Sequence, residues 1–188
     1  MEEKASFLLR YYQVFNRDQT GLPPMEPPEP MEELEWEEHL SEMDACLDHY
    51  MEDEGITLKH GGDRAFYTVG KDMVRLPNQE QFDSTEQYLA VKGHECIHST
   101  GHVKRLSRPL KNAFGSTEYA REELVAELGA AFLCGTWRLG GELRHTEYLN
   151  NWKSLLRNDE NALMRAATRA QKASDFIIEK WQKKNEPE

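Results

Sequence analysis

His94-Glu95-Cys96-Ile97-His98 decides how this chain folds. On a helix, residues four apart lie one turn apart on the same face, so His94 and His98 aim their rings to one side. Two imidazole nitrogens so placed can meet on a single tetrahedral metal ion. Glu95 stands beside that ion, where its carboxylate can take a proton from an attacking water. The five-residue pattern arises by chance in unrelated chains, so its surroundings must support it. Ser84-Thr85-Glu86-Gln87 reads as a capping box, with Ser84 as N-cap and Gln87 three residues on. Tyr88, Val91 and Ile97 supply apolar faces, and Gly101 is a natural stop. A helix over Thr85–Gly101 is predicted, with both histidines near its C-terminal end. Cys96 is expected to face the core as a small apolar residue, metal ligation being the alternative.

At 188 residues the chain is long enough for one domain with a sizeable core and an appendage. Cys46, Cys96 and Cys134 show no CxxC spacing, which suits reduced thiols in a cytosol. Neither a signal peptide nor a long apolar run is seen, so a cytoplasmic protein without a membrane span is expected. The net charge of −11 is local. Glu26 to Glu54 holds thirteen Asp or Glu and no Lys or Arg, and without that block the charge is +2. Such a block argues against nucleic acid binding there and is read as a solvated helix face.

Phe7 to Phe15 (FLLRYYQVF) is apolar and aromatic, and Pro23, Pro24, Pro27, Pro28 and Pro30 follow as a stiff linker. This sets an N-terminal segment at 1–30 apart from a main domain at 31–188. A helix is predicted from about Met31 to Glu54 on the spacing of Leu40, Met43, Leu47, Tyr50 and Met51, with Gly55 ending it. Ala65–Val69 and Met73–Leu76 read as short strands of a hairpin or small sheet. Helices are predicted over about Glu118–Leu139, Thr146–Arg157 and Glu160–Lys183. The last carries a stripe of Leu163, Ala167, Ala170, Ile177 and Trp181. An α+β fold follows: a small antiparallel or mixed sheet packed on the motif helix and several further helices. Met73–Leu76 is expected as its edge strand, open to pairing with an extended peptide.

A catalytic zinc usually takes three protein ligands. A His six residues past the second motif His, the third ligand of metzincins, is replaced here by Lys104. His102 shares the face of His98 only if the helix runs through Gly101, so a loop role is expected for it. Glu123 and Glu127 are better sources. They lie one turn apart on the helix after the motif, and two like charges there repel unless a cation stands between them. One would bind the metal and the other would orient a motif histidine. Either order is open. Zinc is the expected ion, and His and carboxylate donors also suit manganese, iron or cobalt.

With these residues laid out, the chain resembles the metallopeptidase domain of ArdC-like antirestriction proteins, zincin-like domains of phage and plasmid polyvalent proteins. The carrying stretches are Tyr11–Pro23, Arg64–Phe82, HECIHSTGHVKRLSR (His94–Arg108), YAREELVAELGAAFL (Tyr119–Leu133), Tyr148–Trp152 and Ala170–Ile177. The resemblance implies a gluzincin-like fold, with metal on His94, His98 and a Glu of the second helix. By analogy with gluzincins Glu123 is the ligand and Glu127 the residue that orients His94, the reverse being nearly as good. Family members also carry an N-terminal single-stranded-DNA-binding domain. Residues 1–30 are expected as a remnant of it, so direct DNA binding carries over poorly.

The expected activity is metal-dependent peptide hydrolysis, with the water activated by the metal and Glu95. Tyr148, or His145, is the candidate donor to the oxyanion. Arg105 and Arg108 are read as a solvated loop, or as a clamp for a substrate carboxylate or phosphate. The expected partner is a protein or peptide substrate, linked to antirestriction through a host restriction or DNA-associated protein. The rival expectation is a non-catalytic antirestriction protein using the fold as scaffold, with the acidic block mimicking DNA phosphates towards a basic host protein.

Overall fold

Gly55 ends the first helix with its backbone in the left-handed region (φ +68), where a residue without Cβ is unstrained. That helix, α1, runs Glu33–Asp53, and the chain then turns into strand β1, Thr57–His60. The computed structural model describes residues 32–110, 113, 115–139, 152, 156, 157, 159 and 161–185. All that follows concerns the unit Glu33–Glu188. Strands β2 (Phe66–Thr68) and β3 (Met73–Leu76) come next, then helices α2 (Thr85–Thr100), α3 (Thr117–Thr136) and α4 (Ala162–Lys184). The predicted helix at Thr146–Arg157 lies almost wholly outside the described residues, as do the N-terminal segment and proline linker of residues 1–30.

The three strands form one mixed sheet in the order β1-β3-β2. β1 pairs parallel with β3, Thr57 opposite Met73 through His60 opposite Leu76. β2 pairs antiparallel with β3, Phe66 opposite Arg75 and Thr68 opposite Met73. This corrects one expectation. Met73–Leu76 is the central strand, not the edge, and among the described residues the edge strands are β1 and β2. The neighbour that covers β3 is β1, which the sequence did not announce. Thr57-Leu58-Lys59-His60 is a largely exposed edge with only Leu58 turned partly inward, so it shows no alternation of apolar and polar residues.

Val74 and Leu76 of β3 point into the core, where they meet Met43, Leu47 and Tyr50 of α1 and Leu89, Cys96 and Ile97 of α2. Leu133 of α3 and Ala170, Ala173 and Ile177 of α4 close it. The α4 stripe is offset from the predicted one. Ala162, Ala166, Ala170, Ala173 and Ile177 are buried, whereas Leu163 is exposed. Small residues at this spacing let α4 lie close to its neighbours. Cys96 is a core residue, and burial raises its thiol pKa well above the ordinary value.

α2 begins as its sequence predicts. The Ser84 hydroxyl accepts from the Gln87 N–H at 3.2 Å. The Gln87 side chain reaches back one residue further than a capping box requires and accepts from the Asp83 N–H at 2.8 Å. At the other end, Arg105 and Arg108 fold back onto the helix. The Arg105 Nε donates to the Ser99 carbonyl at 2.7 Å, and an Arg108 Nη2 donates to the Ile97 carbonyl at 2.8 Å. Both satisfy last-turn carbonyls and put positive charge at the negative end of the helix dipole.

Candidate metal centre

The buried faces of α2 and α3 bring His94, His98, Glu122, Glu123 and Glu127 together. His94 Nε2 and His98 Nε2 are 3.1 Å apart. Glu123 sits against both, Oε2 at 3.6 Å from His94 Nε2 and Oε1 at 3.5 Å from His98 Nε2. Bonds of about 2.0–2.1 Å at a tetrahedral angle place donor atoms about 3.3–3.4 Å apart. The observed separations bracket that value, so His94, His98 and Glu123 fit one divalent ion. Among the described residues they are the one such group of His, Cys, Asp and Glu side chains.

The other ring nitrogens are also addressed. His94 Nδ1 faces Glu127 Oε1 at 3.4 Å, and His98 Nδ1 faces Glu122 Oε1 at 3.3 Å. A carboxylate at Nδ1 favours the tautomer whose Nε2 lone pair is free for a metal. Glu127, one of the two acids singled out in the sequence, is thus on the far side of His94 from Glu123. Glu122 was not assigned a role from sequence. Only its adjacency to Glu123 marked it, and its function depends on Arg108, whose Nε and Nη2 hold the carboxylate at 3.0 and 2.8 Å. Arg108 also donates to Thr100 Oγ1 at 2.7 Å.

Arg105 and Arg108 are therefore neither a solvated loop nor a free anion clamp. The Arg105 side chain is fully buried. It is bonded to Asp72, to the Tyr67 hydroxyl at 3.1 Å and to Ser99. Tyr67 in turn donates to Asp72 at 2.6 Å. His102 lies in the turn after α2, its Nδ1 accepting from the Lys104 N–H at 3.3 Å, apart from the histidine pair. Tyr148 and His145 lie outside the described residues.

Glu95 completes the cluster. Burial pushes its carboxyl above the ordinary range, with the Glu123 charge adding to the rise, while His94, His98 and the Tyr67 backbone amide favour the ionised form. Glu123 moves the other way. Burial would raise it, but the imidazoles of His94 and His98 beside it hold it well below the usual carboxylate range. Burial opposes charge on His98 too, yet Glu122, Glu123 and Glu95 outweigh it and raise its pKa to about 10. Glu122 and Glu123, both held below the usual carboxylate range, set a negative field against the two histidines. A divalent cation answers such a field as a proton does, and competes with it for the same nitrogens.

This geometry agrees with descent. The family described as zincin-like metallopeptidase (MPTase-PolyVal) matches residues 45–169, two thirds of the chain. The chain belongs to this family. Over 168 residues this zincin-like chain is 38% identical to a DNA primase TraC of Escherichia coli, covering 88% of itself and 15% of the primase. It is 37% identical to the uncharacterized protein y4eC of Sinorhizobium fredii (strain NBRC 101917 / NGR234), over 94% of itself and 56% of that protein. Among solved structures, the Mn(II)-bound antirestriction protein ArdC from plasmid R388 superposes with a TM-score of 0.65 at 31% identity. That match covers 90% of this chain and 62% of ArdC. The metal-free ArdC structure gives 0.63 at 32% identity. The zincin-like chain thus spans only part of each relative.

Proposed function

We propose that this zincin-like chain is a metal-dependent peptidase that binds one zinc or manganese ion on His94, His98 and Glu123. The observation that carries the reading is the triad of donor atoms 3.1–3.6 Å apart, with buried Glu95 beside it. When bound, the ion supplies Lewis acidity towards a scissile carbonyl and lowers the pKa of water. Glu95 is the general base. Its raised affinity for protons suits it to take one from water and pass it to the leaving amine. Glu127 and Glu122 fix the two imidazoles, and His98 and Arg108 together outweigh burial and keep Glu122 ionised and in place. Tyr148 is the proposed donor to the developing oxyanion, with His145 the alternative.

The likeness to ArdC supports an antirestriction setting, with a protein substrate among restriction or DNA-associated host proteins and a cytoplasmic site of action. No helix among the described residues is long and apolar enough to cross a membrane. The test joins elemental mass spectrometry to hydrolysis of a peptide library. Wild type should carry about one ion per chain and His98→Ala should lose it. Glu95→Gln should keep the ion and lose hydrolysis. Full hydrolysis by metal-loaded Glu95→Gln overturns the mechanism. An antirestriction effect that survives Glu95→Gln and falls on neutralising the acidic block Glu26 to Glu54 favours the scaffold reading.

A further inference from the structure

Helices α2 and α3 share the donor set, His94 and His98 on one and Glu123 on the other. The separation of the donors is therefore tied to the separation of the helices. Where the two meet, Gly129 of α3 lies against Ile97 of α2. A Cβ on Gly129 would fall 2.8 Å from Ile97 Cδ1 and 2.9 Å from both Cγ1 and Cγ2. Carbon atoms pack best about 3.5–4.0 Å apart. Ile97 is fully buried and β-branched, with one strongly preferred χ1 rotamer in a helix, so it has little freedom to turn aside. All three outer carbons are involved, so relief must come from the helices parting, by about 0.6 Å or more.

Glycine is the poorest helix former after proline, and one buried in mid-helix calls for a packing reason. Gly135, further along α3, supplies the contrast: a Cβ there would meet nothing within 4 Å. We propose that Gly129 is a positioning residue for the metal centre, setting the α2–α3 approach at which Glu123 comes within 3.5–3.6 Å of the two histidine nitrogens. A site of this kind tolerates misplacement of about 0.5 Å before its geometry is lost. The inference rests on the metal-binding reading above and assigns that site a residue outside its donor set.

The test compares wild type, Gly129→Ala, Gly135→Ala, Ile97→Ala and the double variant Ile97→Ala/Gly129→Ala. Zinc affinity is read by competition with a chromophoric chelator, and ligand geometry by the visible spectrum of the cobalt(II) form. Gly129→Ala should lose about tenfold or more in zinc affinity and change the cobalt spectrum. Gly135→Ala should match wild type in both. Ile97→Ala removes all three carbons that meet the new Cβ, so the double variant should bind zinc as Ile97→Ala does. If Gly129→Ala does not fold, that last comparison decides the matter. Wild-type zinc affinity in Gly129→Ala, or a double variant weaker than Ile97→Ala, overturns the inference alone. No zinc on wild type overturns the metal reading and this inference with it.

Discussion

Replacing Arg108 by Met tests the electrostatic frame behind the metal centre. The substitution keeps an unbranched side chain of related length and removes all five N–H donors. Lost with them are the paired bonds to Glu122, the bond to the Ile97 carbonyl and the bond to Thr100 Oγ1. The Glu122 side chain is only 10% exposed, so its carboxylate cannot turn to water. Removing one partner of a buried ion pair costs about 3–5 kcal/mol, because the other charge is left in the interior. Glu122 keeps His98 as a partner, which puts the expected loss near the lower end, about 3 kcal/mol. For a chain of this size, about 2–4 °C per kcal/mol makes that a fall of about 6–12 °C in Tm. The assay is denaturant unfolding with a chelator present, so that metal binding adds nothing to stability. Arg108→Met/Glu122→Gln removes the stranded charge and leaves an amide oxygen for His98 Nδ1. It should be less destabilised than the two single changes summed, by about 1–3 kcal/mol. A loss under about 1 kcal/mol in Arg108→Met, or strict additivity in the double variant, refutes the reasoning.

Two further outcomes follow from the same contacts. Burial would raise the Asp72 carboxyl, but Arg105 and the Tyr67 hydroxyl outweigh it and hold it below its ordinary 3.8. A group depressed in the fold contributes stability above its unfolded pKa, and that contribution is lost as pH falls through the folded value. Arg105→Met should therefore lie well below wild type in urea midpoint at pH 7 and closer to it at pH 3. A gap that does not change with pH rules out the Asp72 pairing as its source. Lys92→Met should behave unlike Arg108→Met, although Lys92 is just as buried and pairs with Asp44 and Asp48 at 2.5 and 2.6 Å. Those two carboxylates are 44% and 55% exposed and can turn to solvent. The change should cost no more than about 1 kcal/mol. A Tm drop as large as that of Arg108→Met shows that the aspartates are stranded rather than rehydrated.

Local signals proved sound where a residue's partners lie within a turn or two of chain. The Ser84 cap, the α2 boundaries and the α1 stripe of Met43, Leu47 and Tyr50 depend on helical period and on side chains close in sequence. Strand β1 was not legible, because an exposed edge strand is held by its backbone pairing with β3 and needs no apolar alternation. The buried stripe of α4 lies one position from the one its apolar pattern suggests, with Ala162 inside and Leu163 exposed. Small alanines mark the buried face there, and a leucine looks more apolar than the residues that are inside. Arg105 and Arg108 looked like solvated loop because their partners Asp72 and Glu122 are 33 and 14 residues away.

The sequence alone determined that His94 and His98 share a helical face beside Glu95, and that Glu123 and Glu127 share one on a later helix. Helical period fixes both pairs without reference to anything distant. Only the tertiary structure decided how the two faces meet. The packing of α3 on α2 puts Glu123 against both Nε2 atoms, Glu127 against His94 Nδ1 and Glu122 against His98 Nδ1. Which of three neighbouring acids approaches which nitrogen depends on the rotation and spacing of two helices. Those are set by side chains such as Ile97 against Gly129, whose contact no local pattern encodes.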